Sequence, residues 1–149
     1  MISDTKVVAI GGGTGLSTML KGLKLHTHNI TAVVTVADDG GSSGILRSDL
    51  GMLAPGDVRN CVSALAEVDP VMGELLNFRF KDGSLKGHSL GNLFLAALNE
   101  TSSSFDEAVK KFSHLTGVVG TVYPVTNESV TLSALLEDGR LIEGESHIG

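Results

Sequence analysis

A cluster of glycines near the amino terminus constrains the fold more than any other feature of this chain. In the stretch AIGGGTGLSTML, which covers residues 9–20, four of the five residues from 11 to 15 are glycine. The preceding run KVVAI, residues 6–10, is apolar and mainly β-branched, which is typical of a buried parallel strand. Apolar residues at helical spacing follow the glycines: Leu16, Met19, Leu20 and Leu23. The sequence therefore predicts a strand, a tight turn and a helix.

A strand-to-helix turn of this kind favours an anion, because the first amides of a helix lack partners within the helix. The candidate phosphate-binding residues are Gly11, Gly12, Gly13, Thr14, Gly15 and Ser17. The alternative is a turn with a purely structural role. The dinucleotide fingerprint is incomplete, since Leu16 or Thr18 stands where its third glycine belongs. The mononucleotide P-loop is excluded because no Gly-Lys-Ser/Thr follows.

Composition limits the class of protein. A chain of 149 residues with 42% hydrophobic content is expected to form one domain with a core. The net charge of −6, the lack of a basic block and the absence of Trp argue against a nucleic-acid partner. Cys61 is the single cysteine and is expected to be a buried small side chain in a reducing compartment. With no signal peptide and no membrane-length apolar run, we expect a cytoplasmic protein.

A second apolar strand is predicted at residues 30–36, and it leads into VADDGGSSG. Strand, glycine turn, helix and strand make a βαβ unit, so Asp38 and Asp39 should face the first glycine turn. Their carboxylates could bind ribose hydroxyls or hold Mg²⁺ against phosphates. The alternative is a solvated acid pair. Because consecutive side chains diverge, we expect one aspartate in the site and the other capping or solvated.

The next segment, PGDVRN, predicts a helix capped by Asp57 and continuing to about residue 68. Arg59 and Asn60 fall in its first turn. An arginine there opposes the helix dipole unless it meets an anion, so Arg59 is a candidate phosphate ligand. A solvated or salt-bridged arginine is the alternative.

The stretch GHSLGN matches the G-x-S-x-G nucleophile elbow of serine hydrolases through Ser89. The elbow needs a hydrophobic strand leading into the serine, and the preceding RFKDGSLK is charged and rich in turn residues. We therefore favour a loop entering a helix, in which Ser89 and Asn92 could hydrogen-bond a ligand. His88 is interpreted equally as structural or functional.

The rest of the chain supplies further elements. Asp69 and Pro70 open a helix to about residue 78, and Ser104 with Glu107 forms a capping box for another helix. A third strand is predicted within residues 116–126. Residues 130–146 predict a β-hairpin turned at Asp138 and Gly139. The hairpin has edges and an apolar face, so association into a homo-oligomer is possible.

Four stretches in this order, GGGTGLS, VADDGGSSG, PGDVRN and GHSLGN, closely resemble the bacterial gluconeogenesis factor family of YvcK-type proteins. This family is related to the 2-phospho-L-lactate transferases of coenzyme F420 synthesis. The later YPVTNESVTLSALLEDGRLIEGES is similar to the same family. The chain corresponds to about the first half of a family member.

The resemblance implies a Rossmann-like α/β protein, and the elements predicted above indicate a three-layer sandwich with a mostly parallel sheet and a carboxy-terminal β-hairpin. It implies binding of a nucleotide diphosphate, notably a UDP-sugar, by a regulatory factor needed for gluconeogenic growth and normal cell shape. The alternative is a Mg²⁺-dependent transferase like the phospholactate enzymes. By the same resemblance residues 11–15 would hold the diphosphate. Asp38 or Asp39 would contact the metal or the sugar side of the ligand. Asn60 and Asn92 would line the pocket.

Overall fold

Twelve elements follow one another in the computed structural model, which describes residues 1–148. In chain order they are β1 (Val7–Gly11), α1 (Gly13–Leu23), β2 (Ile30–Val34), α2 (Gly41–Leu50), α3 (Gly56–Leu65), α4 (Pro70–Asn77), α5 (Leu90–Glu100), α6 (Phe105–Leu115), β3 (Thr121–Pro124), β4 (Ser133–Leu135), β5 (Leu141–Glu143) and α7 (Glu145–Ile148). The predicted α/β class is confirmed.

The central sheet is parallel, with strand order β1-β2-β3. Val7 pairs with Ile30 and Gly11 pairs with Val34, so β1 and β2 end at the same edge of the sheet. A short crossover through α1 allows this arrangement, and the predicted βαβ unit is confirmed. The hairpin of β4 and β5 is antiparallel, and it turns at Gly139 with φ +86°, as the Asp-Gly sequence predicts.

One face of the parallel sheet is buried and the other is exposed. The buried face carries Ala32, Val34 and Val122, against which α3 and α6 pack. On the opposite face Val8 is 65% exposed and Ile10 is 76% exposed. Within residues 1–148 the helices thus form a layer on one side only, and the third layer of the expected sandwich has no counterpart in that range.

Helix α2 was not predicted, because the sequence there reads as a glycine- and serine-rich loop. Glycine and serine are weak helix formers, so local propensity favours a loop. Tertiary contacts override that preference: Leu46 joins the hydrophobic core, and the side chains of Ser42 and Ser43 are buried. Gly51 directly follows the helix as its C-cap, and its φ of +63° is the left-handed conformation that glycine adopts easily.

Helix α3 also differs from its prediction. It begins at Gly56 with Pro55 at the N-cap, so Asp57 is not the cap but lies in the first turn. It ends at Leu65 rather than near residue 68. Asp69 caps α4 through the amide of Val71, and Ser104 caps α6 through the amide of Glu107, as predicted. No helix of residues 1–148 combines the length and apolarity needed to cross a membrane.

The core lies between the buried sheet face and helices α1, α3, α5 and α6. Its largest fully buried side chains include Phe112, Leu20, Leu65 and Leu95. Cys61 is also fully buried, and burial raises the pKa of its thiol to about 12. That confirms the small apolar role predicted for this cysteine, because a nucleophilic thiol needs a lowered pKa.

Neighbouring residues of α1 provide a test of this core. Leu20 is 0% exposed and Met19 is 51% exposed. Leu20→Ala should lower the free energy of unfolding by about 2–5 kcal/mol, because it leaves a cavity under the sheet. Met19→Ala should change it by less than about 0.5 kcal/mol. Urea denaturation of both variants measures the difference, and equal losses would contradict this placement of α1.

Candidate functional site

The glycine-rich motifs meet where β1 and β2 end. The turn after β1 lies beside the residues after β2, since a Cβ added to Gly12 would stand 2.1 Å from Cγ2 of Thr35. The same atom would stand 2.9 Å from Oδ2 of Asp57, at the start of α3. Gly12 is therefore required for close packing of three segments, and no other residue fits there without displacing them.

The start of α2 joins the same place. The backbone amide of Gly56 donates to Oγ of Ser43 at 3.1 Å, which ties the starts of α2 and α3 together. Asp38 accepts a hydrogen bond from the amide of Gly40 at 3.0 Å, and this closes the turn that leads into α2. We call residues 12–13, 40–42 and 55–57 the helix-start cluster, because they begin α1, α2 and α3.

Helices in the cluster begin differently from the other helices. The N-caps of α1, α2 and α3 are Gly12, Gly40 and Pro55, and none of them caps its helix with a side chain. By contrast α4, α5 and α6 each have a side-chain cap, supplied by Asp69, Ser89 and Ser104. Uncapped first-turn amides carry partial positive charge and suit an anion. Among α1 to α6, the helices whose own N-cap residue supplies no side-chain cap are thus the ones that converge, and in α3 the Gly56 amide bonds to Ser43 instead.

Two glycines of the cluster leave their surroundings open. Gly13 has φ +67° and Gly41 has φ +47°, a conformation that disfavours other residues. A Cβ at either position would meet no atom within 4 Å, and neither would one at Gly15. The backbone of both turns can therefore be approached closely by a ligand.

Carboxylates lie beside these amides. Burial raises the pKa of Asp57, the nearby Asp38 charge raises it further, and a hydrogen bond with the Gly13 backbone opposes both. The pKa of Glu145 is also raised, first by burial and then by the charges of Asp38, Asp57 and Asp39. Sequence reasoning missed Asp57 and Glu145 as site residues, because Asp57 was interpreted as a helix cap and Glu145 lies in the distant hairpin segment.

The two consecutive aspartates have different partners. Asp38 faces Asp57 across the cluster, whereas Oδ1 of Asp39 accepts a hydrogen bond from the amide of Ser146 at 2.8 Å. That bond is the main cause of the lowered pKa of Asp39. Asp39 therefore holds the end of the hairpin against the loop, and Asp38 is the aspartate of the pair that faces the helix starts.

The remaining sequence-derived candidates lie at different depths. Thr14 is exposed at the start of α1, and Ser17 donates its hydroxyl to the Thr14 carbonyl at 3.0 Å. Asn60 is half-buried on α3. Arg59 is only 6% exposed and donates to the amide oxygens of Asn92 and Asn77, at 3.3 Å and 2.9 Å. Arg59 thus lies beneath the cluster, bonded to protein groups.

Ser89 and Asn92 are buried as well. Oγ of Ser89 accepts from the amide of Asn92 at 3.2 Å and caps α5, and Ser89 is 0% exposed. Ser89 itself forms an isolated antiparallel bridge with Arg79, and the segment that leads into it is not a strand of the central sheet. This matches the predicted loop entering a helix and differs from a nucleophile elbow.

A cleft of about 370 Å³ lies elsewhere, at the amino ends of the strands. Lys6, Val8, His28, Asn29, Thr31 and Gly120 are among its lining residues. It is at the opposite end of the sheet from the glycine turns, and it has none of the motif residues. Among residues 1–148 no three His, Cys, Asp or Glu side chains are arranged to hold a metal ion by themselves.

Comparison with known proteins shows the family of the chain. The sequence profile of 2-phospho-L-lactate transferase CofD matches residues 7–149. The chain belongs to the CofD family. The gluconeogenesis factor of Bacillus subtilis is 51% identical over 144 residues, which cover 96% of this chain and 45% of that protein. A protein of Thermoanaerobacterium thermosulfurigenes is 63% identical over 147 residues, which cover 99% of this chain and 46% of the relative.

A solved structure of the CofD family shows the same fold. A crystal structure of a Bacillus halodurans protein superimposes with a TM-score of 0.92 at 48% identity, covering 96% of this chain and 47% of that one. The resemblance to gluconeogenesis factors is thereby confirmed. The chain spans less than half the length of these relatives.

Asp57 gives a prediction about pH. Because the folded-state pKa of Asp57 is raised, its ionisation costs stability as the pH rises through that pKa. Asp57→Asn keeps an acceptor for the Gly13 amide and removes the charge, so it should raise the melting temperature at pH 7 by a few degrees. The gain should shrink toward pH 4, where the parent carboxyl becomes protonated. Asp82→Asn in an exposed turn controls for net charge, and an equal gain in that variant would contradict the prediction.

Ser89 gives a second prediction. A fluorophosphonate probe should leave Ser89 unlabelled, since its hydroxyl is buried and bonded to the Asn92 amide. Ser89→Ala should cost about 0.5–2 kcal/mol of stability through the lost cap. Mass spectrometry of the treated protein and urea denaturation measure the two effects. Stoichiometric labelling at Ser89 would instead support the hydrolase interpretation.

Proposed function

We propose that this chain supplies the phosphate-binding half of a nucleotide-diphosphate site, with a UDP-sugar as the ligand. The observation that carries the proposal is the convergence of three helix starts without side-chain caps around open glycine turns. The starts of α1 and α2 offer separate groups of amides, which suits two linked phosphates. A sulfate-sized anion would use only one of them.

The carboxylates in the cluster bear on how a diphosphate could bind. Asp38 and Asp57 would repel bare phosphates, whereas a divalent cation between them and the phosphates would remove the repulsion. Mg²⁺ is commonly held by one or two carboxylates together with phosphate oxygens and waters. Two carboxylates suffice for that mode, so the donor set fits Mg²⁺. In this proposal Asp57 takes the place that sequence reasoning gave to Asp39, whose carboxylate holds Ser146.

We favour ligand binding without chemistry as the role of this chain. The cluster contributes amides and carboxylates, and the nearby hydroxyls of Ser43, Ser42 and Ser89 are engaged in protein hydrogen bonds. Within the cluster the hydroxyl of Ser42 lies beside the His88 ring, but Ser42 is only 6% exposed and also accepts from Asn92, so it is not placed to attack a ligand. A regulatory nucleotide-sugar binder, like the proteins named gluconeogenesis factor, needs neither a nucleophile nor a base.

A Mg²⁺-dependent transferase is the second candidate, and the match to the 2-phospho-L-lactate transferase profile favours it. In that case the cation would neutralise charge on a diphosphate leaving group. Incubating the protein with a GDP- or UDP-linked donor and measuring free nucleotide separates the two functions. Release above the rate in buffer would favour the transferase.

The wider role of the protein extends the proposal. We infer that it acts in the cytoplasm in support of gluconeogenic growth and normal cell shape, as the gluconeogenesis factor resemblance implies. Because the chain covers 45% of the Bacillus subtilis relative, contacts to the base and sugar are expected from residues beyond those matched here.

A ligand panel tests the proposal directly. UDP-glucose, UDP-N-acetylglucosamine, GDP and NAD are compared in a thermal-shift assay, each with and without Mg²⁺. A ligand that binds only the folded state raises the melting temperature. We expect the UDP-sugars to give the largest shifts and Mg²⁺ to increase them. Equal shifts with NAD, or none with any nucleotide, would contradict the proposal.

Two glycines of α1 give a matched pair of variants. Gly15 and Gly22 are both exposed, and a Cβ at either meets nothing within 4 Å, but only Gly15 lies in the first turn. Replacing either by Leu should stabilise the helix by up to about 1 kcal/mol. Gly15→Leu should abolish the shift with UDP-glucose, because its side chain occupies the approach to the amides. Gly22→Leu should keep it, and loss in both variants would place the ligand elsewhere.

A further inference from the structure

A chain of buried polar side chains runs from the core to the start of α2. Nε of Arg59 donates to Oδ1 of Asn92 at 3.3 Å, and Nδ2 of Asn92 donates to Oγ of Ser42 at 3.0 Å. Oγ of Ser42 lies 2.9 Å from Nδ1 of His88. All four residues are at least nine-tenths buried, with exposures of 6%, 2%, 6% and 8% in that order. The chain links α3, α5, α2 and the loop before α5.

The direction of these hydrogen bonds follows from chemistry. Arg59 can only donate, so Asn92 must turn its oxygen to Arg59 and its NH₂ group to Ser42. Ser42 then accepts from Asn92, and its own proton needs an acceptor. Among the hydrogen bonds of the described residues, Nδ1 of His88 is the acceptor within reach of that hydroxyl. Nδ1 of His88 therefore accepts from Ser42, and the ring proton belongs on Nε2.

Ser42 occupies a position that needs such a tether. It lies in the first turn of α2, directly after Gly40 and Gly41, and the sequence there has weak helix propensity. Gly40 supplies no side-chain cap for α2, and the bonds of Asp38 with Gly40 and of Ser43 with Gly56 hold the residues on either side of Ser42. The hydroxyl of Ser42 is fixed from inside the protein by His88 and Asn92. A buried donor or acceptor left without its partner is unfavourable, so these two bonds resist rotation of the Ser42 hydroxyl.

We propose that His88 is a positioning residue, which orients Ser42 and thereby holds the first turn of α2 in the conformation that receives a phosphate. The inference rests on the proposed nucleotide-diphosphate site and assigns His88 and Asn92 a role without ligand contact. Arg59 acts at the far end of the chain by fixing the orientation of Asn92. The three motifs VADDGGSSG, PGDVRN and GHSLGN are thus joined by one buried hydrogen-bond chain.

The test compares His88→Leu with His88→Asn. Leucine fills similar space without an acceptor, whereas the amide oxygen of asparagine can stand where Nδ1 stands. Amide hydrogen exchange in the free protein is the first measurement. In His88→Leu the amides of α2 should exchange at least tenfold faster, including Gly44, which donates to the Gly40 carbonyl. Exchange in α6 should stay unchanged, and His88→Asn should restore most of the protection in α2.

Affinity for UDP-glucose with Mg²⁺ is the second measurement. His88→Leu should weaken it at least tenfold and His88→Asn by no more than about threefold. Val109→Ala, a fully buried change on α6, supplies a destabilised control that should keep the parent affinity. Nitrogen-15 spectra of the imidazole ring should show Nδ1 without a proton.

The outcomes separate this inference from the proposed function. Unchanged exchange of α2 in His88→Leu, or a proton on Nδ1, would overturn the tether. Faster exchange with full UDP-glucose affinity would overturn the positioning role. A parent protein that binds no nucleotide would contradict the proposed function, and the exchange result would still decide whether His88 tethers α2.

Discussion

Parallel pairing of β1 with β2 is the constraint on which the site depends. Gly11 pairs with Val34, so the segments after both strands leave the sheet side by side. Each segment then starts a helix, and α3 packs between them because its first residues contact Ser43 and the Gly12 turn. If β1 and β2 were antiparallel, their carboxyl ends would lie at opposite edges and the helix starts could not converge.

The convergence of the three helix starts brings carboxylates close together, an arrangement that does not favour folding stability. Three helix starts whose N-cap residues supply no side-chain cap favour negative charge, and Asp57 lies there close to Asp38. Burial, and then the charge of Asp38, raise the pKa of Asp57, so ionisation of Asp57 at neutral pH lowers folding stability. Charged groups held against their own preference are typical of sites whose ligand completes the charge balance. In the proposed complex a cation with phosphates would satisfy both the amides and the carboxylates.

Local signals in the sequence were sufficient for most of the fold. The β-branched runs predicted β1 and β2, and the caps Asp69 and Ser104 predicted the starts of α4 and α6. Helix α2 was not predicted because its glycines and serines show no helical pattern. Its stability comes from buried contacts of Ser42, Ser43 and Leu46. Local propensity cannot report contacts with distant segments.

The candidate site, too, was predictable only where its residues follow directly from local sequence patterns. The glycine turn and the aspartate pair follow from neighbours in the sequence. Asp57 and Glu145 join them only through tertiary structure. The burial of Arg59 and Asn92 was equally hidden, since their residue types are normally exposed. Contacts between distant segments give them partners: Asn92 and Asn77 accept from Arg59, and Asn92 donates to Ser42.

The hairpin segment connects the site to the end of the described chain. Nη2 of Arg47 donates to the carbonyl of Val130 at 2.7 Å, and Asp39 accepts from the Ser146 amide at 2.8 Å. These bonds hold both ends of the hairpin against the loop and helix that follow β2. Glu145 is brought near Asp38 and Asp57 as a result, and its pKa is raised first by burial and then by their charges. A cation bound between Asp38 and Asp57 would reduce that repulsion, so ligand binding and docking of the hairpin should stabilise each other.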